Sequence, residues 1–352
     1  MKEFYLEKDI QNILYNSKDI LNFFSGKRII ITGGRGFLGK YFVEVFFRFN
    51  KLLKNPIKVT VIDNLILNDK MDDQISKYKK FKFLNDDVSL PFNVEGDLDL
   101  IIHAAGIASP YYYRAKPIET LDVAVKGTRN ALDLAKIKSA KVIFFSSSEI
   151  YGDPDPKEIP IKESYRGNVS TLGPRACYDE SKRVGETLCY IYHNYYKNNI
   201  NIIRPFNIYG PGMQQNDYRI LPNFASKLIS NESVNVYGSG NQTRTYCYIT
   251  DAINGFLRVI AKGISGHVYN IGNPNPEVSV FELIKIIQKV TNKNFGYNKV
   301  KYPSSYPSDE PQRRCPDISK AKKDLSYFPK INLETGLKSF LQWTEDNYIN
   351  NS

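Results

Sequence analysis

Five short runs, KRIIITG, IKVTVID, DLIIHAAG, AKVIFFSSS and INIIRPFN, constrain what this chain can become. Each is almost continuously apolar through its middle, so each predicts a strand buried on both faces. Stretches of helical character separate them, the first being FLGKYFVEVFFRF directly after KRIIITG. Buried strands alternating with helices specify an α/β fold, a doubly wound parallel sheet covered on both sides. After about residue 208 the texture shifts to shorter strands, SVNVYG and GHVYNIG, with more Pro and Gly and with helices expected near 219–230, 278–291 and 333–347. The expected organisation is a main unit over 26–208, to which 242–272 returns, and a smaller α/β C-terminal lobe built from 209–241 and 273–352. Ahead of both, residues 1–25 place Ile10, Ile13, Leu14, Ile20, Leu21 and Phe24 near helical spacing. That extension should pack on the body or on a partner subunit.

Composition narrows the function classes. No apolar run reaches the ~18 residues of a membrane span. MKEFYLEKDI mixes charge with apolar residues where a signal peptide would carry an apolar core, so a cytoplasmic protein is expected. Cys177, Cys189, Cys247 and Cys315 form no C-x-x-C pair, which predicts reduced thiols and no metal site. The net charge of +11 comes from scattered lysines, with clusters as short as KYKKFKF (77–83) and no recognition motif, so no nucleic-acid partner is expected.

The first strand runs into ITGGRGFLG, where Gly33, Gly36 and Gly39 recur every third residue at the start of a predicted helix. Glycines so spaced let backbone approach a pyrophosphate, whose charge meets the N–H groups and dipole of the helix N-terminus. The second strand ends in Asp63, 24 residues beyond Gly39. A carboxylate there accepts hydrogen bonds from a ribose diol and repels a 2′-phosphate, which favours NAD over NADP; Arg35, inside the turn, is a contrary sign. Asp87, after the third strand, is placed to reach the adenine amine. The competing reading, a tight turn that only caps a helix, is weakened by the strand, helix and acid around it.

GPRACYDESKR (173–183) puts Tyr178 and Lys182 one helical turn apart on one face. A nearby ammonium would lower the tyrosine pKa and yield a base usable near neutral pH. Such a base could take a proton from a hydroxyl while a dinucleotide accepts the hydride. Among 25 tyrosines this spacing arises by chance; its place after a dinucleotide-binding unit is what singles it out.

Together these residues resemble the extended short-chain dehydrogenase/reductase family, Rossmann-fold enzymes that act on nucleotide sugars, from about residue 27 to about 345. The resemblance implies NAD held by Gly33, Gly36, Phe37, Leu38, Gly39, Asp63, Asn64, Asp87, Ala104, Ala105, Tyr178 and Lys182. It implies a redox site of Ser147, Tyr178 and Lys182, in which Ser147 shares the substrate hydroxyl; the plain alternative for Ser147 is a strand-end cap. It also implies a homodimer through the apolar helices near 117–136 and 178–197.

Members of that family share oxidation of a sugar C4 hydroxyl and diverge afterwards. The 4,6-dehydratases follow the serine with an adjacent Asp-Glu pair, whereas this chain has Ser148 and Glu149, so the acid that would expel water is missing. Ser-Glu resembles the UDP-glucuronate decarboxylases, as do ASPYYYRAKPIET (108–120), GPRACYDESKR, YGSGNQTRTYCYITD (237–251) and DEPQRRCPDISKAK (309–322). This resemblance implies a nucleotide-sugar substrate whose C5 carboxylate becomes a β-keto acid once C4 is oxidised. Arg314 would clamp that carboxylate with Glu149 near it, Asn207 and Arg244 would hold the diphosphate, and Ser109 would touch the substrate. The plain alternative for Glu149 and Arg314 is a salt bridge with each other, and for Arg244 a surface arginine. This chain departs from the pattern at Arg35, where alanine is usual, in RPFNIYGPGM and NDYRILPNF, which drift toward dehydratases and epimerases, and in its extension. A 4-epimerase, a 4,6-dehydratase, another uronate or nucleotide, and a non-catalytic NAD-binding sensor stay open. The complete Ser147, Tyr178 and Lys182 set argues against the sensor.

Overall fold

The computed structural model describes residues 3–66, 78, 80–301 and 311–349. The lysine cluster at 77–83 and the block at 309–322 each lie partly outside the described residues. The chain begins with α1 (Glu7–Asn16) and a 3-10 turn at Lys18–Phe24. It continues through β1 (Arg28–Thr32), α2 (Phe37–Asn50), β2 (Lys58–Asp63), β3 (Phe81–Asn85), β4 (Leu100–His103), α3 (Pro110–Ala115), α4 (Pro117–Lys138), β5 (Lys141–Phe145), α5 (Ala176–Tyr196) and β6 (Ile200–Pro205). Shorter elements follow: β7 (Ile208–Tyr209), α6 (Ile220–Ile229), β8 (Val234–Tyr237), β9 (Thr243–Arg244), β10 (Cys247–Tyr248), α7 (Ile249–Lys262) and β11 (Val268–Ile271). Last come β12 (Val278–Ser279), α8 (Val280–Thr291), β13 (Tyr297–Val300), β14 (Arg313–Arg314), α9 (Ser319–Leu325) and α10 (Leu333–Asn347).

The apolar runs form the expected doubly wound parallel sheet. Seven strands lie in the order β11-β6-β5-β4-β1-β2-β3, and every neighbouring pair is parallel. Successive side chains of a strand face opposite ways, and this separates two cores. Ile30, Ile101, Val142, Phe144 and Ile202 pack toward Ala131, Leu132 and Ala135 of α4 and Cys189 of α5. Ile29, Ile31, Val61, Ile102, Ile143 and Phe145 pack toward Phe42 and Phe46 of α2 and Phe256 of α7. The winding reverses between β1 and β4, which opens a crevice at the carboxyl ends of the strands. Smaller sheets, β12-β9-β14, β13-β8 and β10-β7, surround that edge. Among the described residues, no helix is long and apolar enough to cross a membrane.

The N-terminal extension packs on the body of its own chain. Ile10, Ile13, Ile20 and Phe24 are buried, and α1 lies against α2 and α7. Buried Asp9 accepts a hydrogen bond of 2.6 Å from the Tyr248 hydroxyl.

Close packing of α5 on the sheet sets the height of the site. A Cβ added at Gly185 would lie 2.3 Å from Cζ of the buried Phe144 ring. We expect Gly185→Ala to destabilise the chain by about 1–3 kcal/mol through overpacking; urea unfolding followed by circular dichroism checks this, and an unchanged midpoint would mean that the ring has room to move.

Candidate active site

The loops after β1, β2, β3, β4, β5 and β6 line one cavity of about 830 Å³, closed on its other side by residues from α6, β9 and β14. Every candidate cofactor, catalytic and substrate residue named from the sequence, from Gly33 to Arg314, lines it. At its β1 end, Gly33 takes φ +69°, and a Cβ there would sit 2.6 Å from Cα of Ala105. Side-chain-free backbone is required at this crossing of two loops. Gly39 lets α2 begin close beneath the turn, since its Cβ would meet the Gly33 carbonyl oxygen at 2.3 Å. Gly36 differs: at its Cβ position only the Gly33 carbonyl lies within 4 Å. It caps the N-terminus of α2 with extended backbone and no side chain in the way. A bare helix N-terminus facing a cavity fits a pyrophosphate.

Asp63 closes β2 and accepts hydrogen bonds from the backbone N–H groups of Arg35 and Leu65, both 2.9 Å. These bonds aim its carboxylate and leave lone pairs for a diol. Asn64 donates to Asp87 at 3.1 Å, tying the loops after β2 and β3 together.

Ser147, two residues beyond β5, caps a 3-10 turn, accepting from the Glu149 N–H at 3.2 Å. Its hydroxyl also acts on Tyr178, whose pKa it pulls down. Tyr178 is buried, its ring stacked on Tyr113 of α3 at 5.3 Å and 10°. Burial raises the Tyr178 pKa, while the Ser147 hydroxyl and the charges of Arg219 and Arg175 pull it down. Lys182 is not the cation that most lowers this tyrosine, because its ammonium donates to the Phe145 carbonyl at 2.8 Å and lies 5.9 Å from the ring centre. Burial pushes Lys182 itself down to about 8, and Glu186, one turn further along α5, opposes that shift. Glu186 in turn binds Arg204 of β6 at 2.8 Å and accepts from Ser146 at 2.5 Å.

Glu149 pairs with both Arg175 and Arg314. Both arginines are buried, and Arg175 also faces Asp179 at 3.3 Å. Each buried guanidinium thus faces a carboxylate, as burial of charge demands. The salt bridge set out as the plain alternative for Glu149 and Arg314 is present. Arg314 reaches the site because β14 pairs in parallel with β9, in a register that sets it beside Arg244. Asn207, with φ +45°, donates its amide to the Thr245 carbonyl at 2.8 Å, tying the end of β6 to the same segment. The Ser109 hydroxyl is buried and has no hydrogen-bond partner among the described residues. A buried orphan donor facing a cavity suits a polar ligand.

Sequence reasoning missed Arg175 and the Asp217–Arg219 pair. Arg175 stands three residues before Tyr178, a spacing that shares its helix face, and that signal was available. Arg219 binds Asp217 at 3.0 Å and also lines the cavity; nothing local in NDYRILPNF announces it.

A doubly wound sheet, a glycine turn against a helix N-terminus and a Ser-Tyr-Lys set at the topological switch point define a dinucleotide-dependent enzyme. Comparison with known proteins gives the family. Residues 29–272 match the model of the NAD dependent epimerase/dehydratase family, and the chain belongs to it. UDP-glucuronic acid decarboxylase 1 of Xenopus tropicalis is 39% identical over 318 residues, covering 90% of this chain and 72% of that protein. UDP-glucuronic acid decarboxylase 6 of Arabidopsis thaliana is 39% identical over 319 residues, 90% of this chain and 88% of its own. Among solved structures, UDP-glucuronic acid 4-epimerase from Bacillus cereus, in complex with UDP-glucuronic acid and NAD, matches with a TM-score of 0.78 and 26% identity. That match covers 91% of this chain and 100% of the epimerase.

Lys182 yields a prediction. Its pKa is lowered from 10.5 to about 8, so the folded chain disfavours the ammonium. That cost is complete below about pH 8 and fades as pH rises toward 10.5. Lys182→Met should therefore melt at the same temperature as the parent or higher at pH 7, with the gap closing by pH 10. Differential scanning fluorimetry across that range checks it; a markedly lower melting temperature at pH 7 would mean that the bond to Phe145 outweighs burial.

Proposed function

We propose that this chain is an NAD-dependent decarboxylase of a nucleotide-linked uronic acid, of the UDP-glucuronate to UDP-xylose type. The observation that carries the reading is the pairing of two buried arginines, Arg175 and Arg314, with Glu149 beside the Ser147–Tyr178 pair. A neutral sugar has no need of two guanidinium groups at its reacting end, and a carboxylate does. The identity to UDP-glucuronic acid decarboxylases supports the same substrate class.

In this reading residues 26–208 with 242–272 bind NAD, and 209–241 with 273–352 form the nucleotide-sugar lobe. The α2 N-terminus and its glycine turn hold the pyrophosphate, and Asp63 and Asn64 hold the adenosine ribose. Phe37, Leu38, Asp87, Ala104 and Ala105 form the surrounding wall. NAD held there would supply the hydride acceptor for the sugar C4 and the donor that restores it. Tyr178 removes the C4 hydroxyl proton, and Ser147 orients that oxygen. Lys182 holds a positive charge under the site, fixed by the Phe145 carbonyl. With C4 a ketone, the bond from C5 to the carboxylate breaks, carbon dioxide leaves, and its electron pair passes into the C4 enolate. A proton from solvent at C5 and the Tyr178 proton returned to the C4 oxygen would complete the turnover on this chain's side. Arg314 and Arg175 orient the carboxylate; Arg314 acts as clamp and not as acid, since a guanidinium does not give up its proton near neutral pH. Ser148 lies between Ser147 and Glu149 and shapes the sugar pocket. Arg244 and Asn207 serve the diphosphate and Ser109 the sugar.

The chain also acts as a homodimer in this reading, supported by exposed Ile118 and Leu121 on α4 and exposed Val184 and Ile191 on α5. A cytoplasmic setting accords with four cysteines that are all free thiols.

A proton NMR time course with NAD and UDP-glucuronate should show a pentose anomeric signal replacing the uronate signals. A product that keeps all six carbons with C4 inverted would favour the 4-epimerase alternative, consistent with the likeness to the Bacillus cereus enzyme. Tyr178→Phe should lower kcat by roughly 10²–10⁴-fold with NAD binding retained; full activity would remove Tyr178 from the chemistry.

A further inference from the structure

The family match begins at residue 29, yet the segment ahead of it touches two walls of the ligand cavity. Phe4 sits edge-on to Tyr41 of α2, with ring centres 5.3 Å apart. The Lys40 ammonium lies 5.9 Å from the centre of the Phe4 ring. On its other side Phe4 packs on Gly212, where an added Cβ would meet the Phe4 carbonyl oxygen at 3.1 Å and Cδ2 at 3.2 Å. Phe37 and Lys40, from the first turn of α2, line the cavity, and so do Gly212 and Met213. Phe4 thus fills the corner between a helix N-terminus and the turn at 210–215.

That turn is tied down by neighbours of the same segment. Tyr41, against which Phe4 packs, donates to the Pro211 carbonyl at 3.0 Å. Tyr348 donates to the Met213 carbonyl at 3.0 Å and packs edge-on to Trp343. The Trp343 indole in turn donates to the Glu3 carbonyl at 3.1 Å. The segment is itself well anchored, through Glu7 on Arg48 at 2.9 Å, Asp9 on Tyr248 at 2.6 Å and Ser17 on Asn254 at 2.7 Å.

We infer that the N-terminal segment is a brace of the ligand site, with Phe4 the positioning residue that fixes the spacing between the first turn of α2 and the turn at 210–215. The inference rests on the reading of this cavity as the NAD and nucleotide-sugar site. Two walls held at a fixed spacing bind a ligand without an ordering cost, so removal of the wedge weakens binding and leaves the chemical step intact.

The test compares the 352-residue protein with Phe4→Ala, Phe4→Leu and Ile287→Ala, the last emptying part of the core in α8. Calorimetric titration with NAD, steady-state kinetics with UDP-glucuronate and hydrogen exchange of the 210–215 amides are the readouts. Phe4→Ala should weaken NAD binding by roughly 10-fold, about 1.4 kcal/mol, raise KM, hold kcat within about twofold and speed exchange at 210–215. Phe4→Leu should restore most of the affinity. Ile287→Ala should lower the melting temperature with NAD affinity unchanged. Parental NAD affinity and KM in Phe4→Ala would overturn the inference, and so would an equal loss of affinity in Ile287→Ala, which would trace the effect to general stability. A parent protein that binds no NAD would overturn the reading of the cavity and the inference with it.

Discussion

Because every neighbouring pair in the seven-stranded sheet is parallel, the carboxyl ends of β1 to β6 all open on one edge. Parallel pairing forces each connection to cross back over a face, so both faces must be covered by helices and both must be apolar. The polar residues that end the strands are then delivered to a single crevice. Gly33, Asp63, Asp87, Ala105, Ser147 and Asn207 meet there although 174 residues separate the first from the last, 207 − 33. The price of this convergence is crowding, and glycine resolves it at two points. At Gly33 the loops after β1 and β4 cross with backbone against backbone, and at Gly185 α5 lies on the Phe144 ring. The second contact matters to the chemistry, since α5 carries Tyr178, Lys182 and Glu186 on successive turns.

Burial sets the electrostatics of the site more than sequence spacing does. The notion that one ammonium tunes Tyr178 assumes a solvated helix face. Instead Tyr178 lies beneath Tyr113 and its pKa rises with burial, while the lowering influences come from Ser147, from Arg175 at the N-cap of the same helix and from Arg219 just ahead of α6. Lys182, equally buried, is pushed toward its neutral form and held by a backbone carbonyl and by Glu186. Neither effect follows from Tyr-x-x-x-Lys as a spacing.

What was legible in the sequence is what local geometry dictates. Apolar runs gave the strands, the glycine period gave the turn, and a residue at a strand end had to reach the crevice. Arg314 and Arg244 are 70 residues apart, 314 − 244, and meet through a two-residue pairing of β14 on β9. No propensity announces so short a ladder, and only resemblance to a family could bring them together. Arg175 was within reach of helical spacing and was overlooked because its partner, Glu149, lies on another element. For the extension, the helical period was plain in Ile10, Ile13 and Ile20, but the period says only that one face is covered and not by what. The covering surface, α2 and α7, required the fold.

Glu149 makes the decarboxylase reading more than a charge match. In the chain alone, Glu149 pairs with Arg175 and Arg314, and Asp179 faces Arg175. In the proposed reaction, a substrate carboxylate brought to these guanidiniums would add an anion beside Glu149, which would repel it. Such a site orients a carboxylate without holding it tightly. Loss of carbon dioxide turns that carboxylate into a neutral molecule and moves its charge toward C4, where Ser147 and Tyr178 stand. In that reading the repulsion at Glu149 would be relieved as the bond breaks, so the same pairing that keeps buried arginines stable in the fold would favour the charge distribution of the transition state over that of the bound uronate.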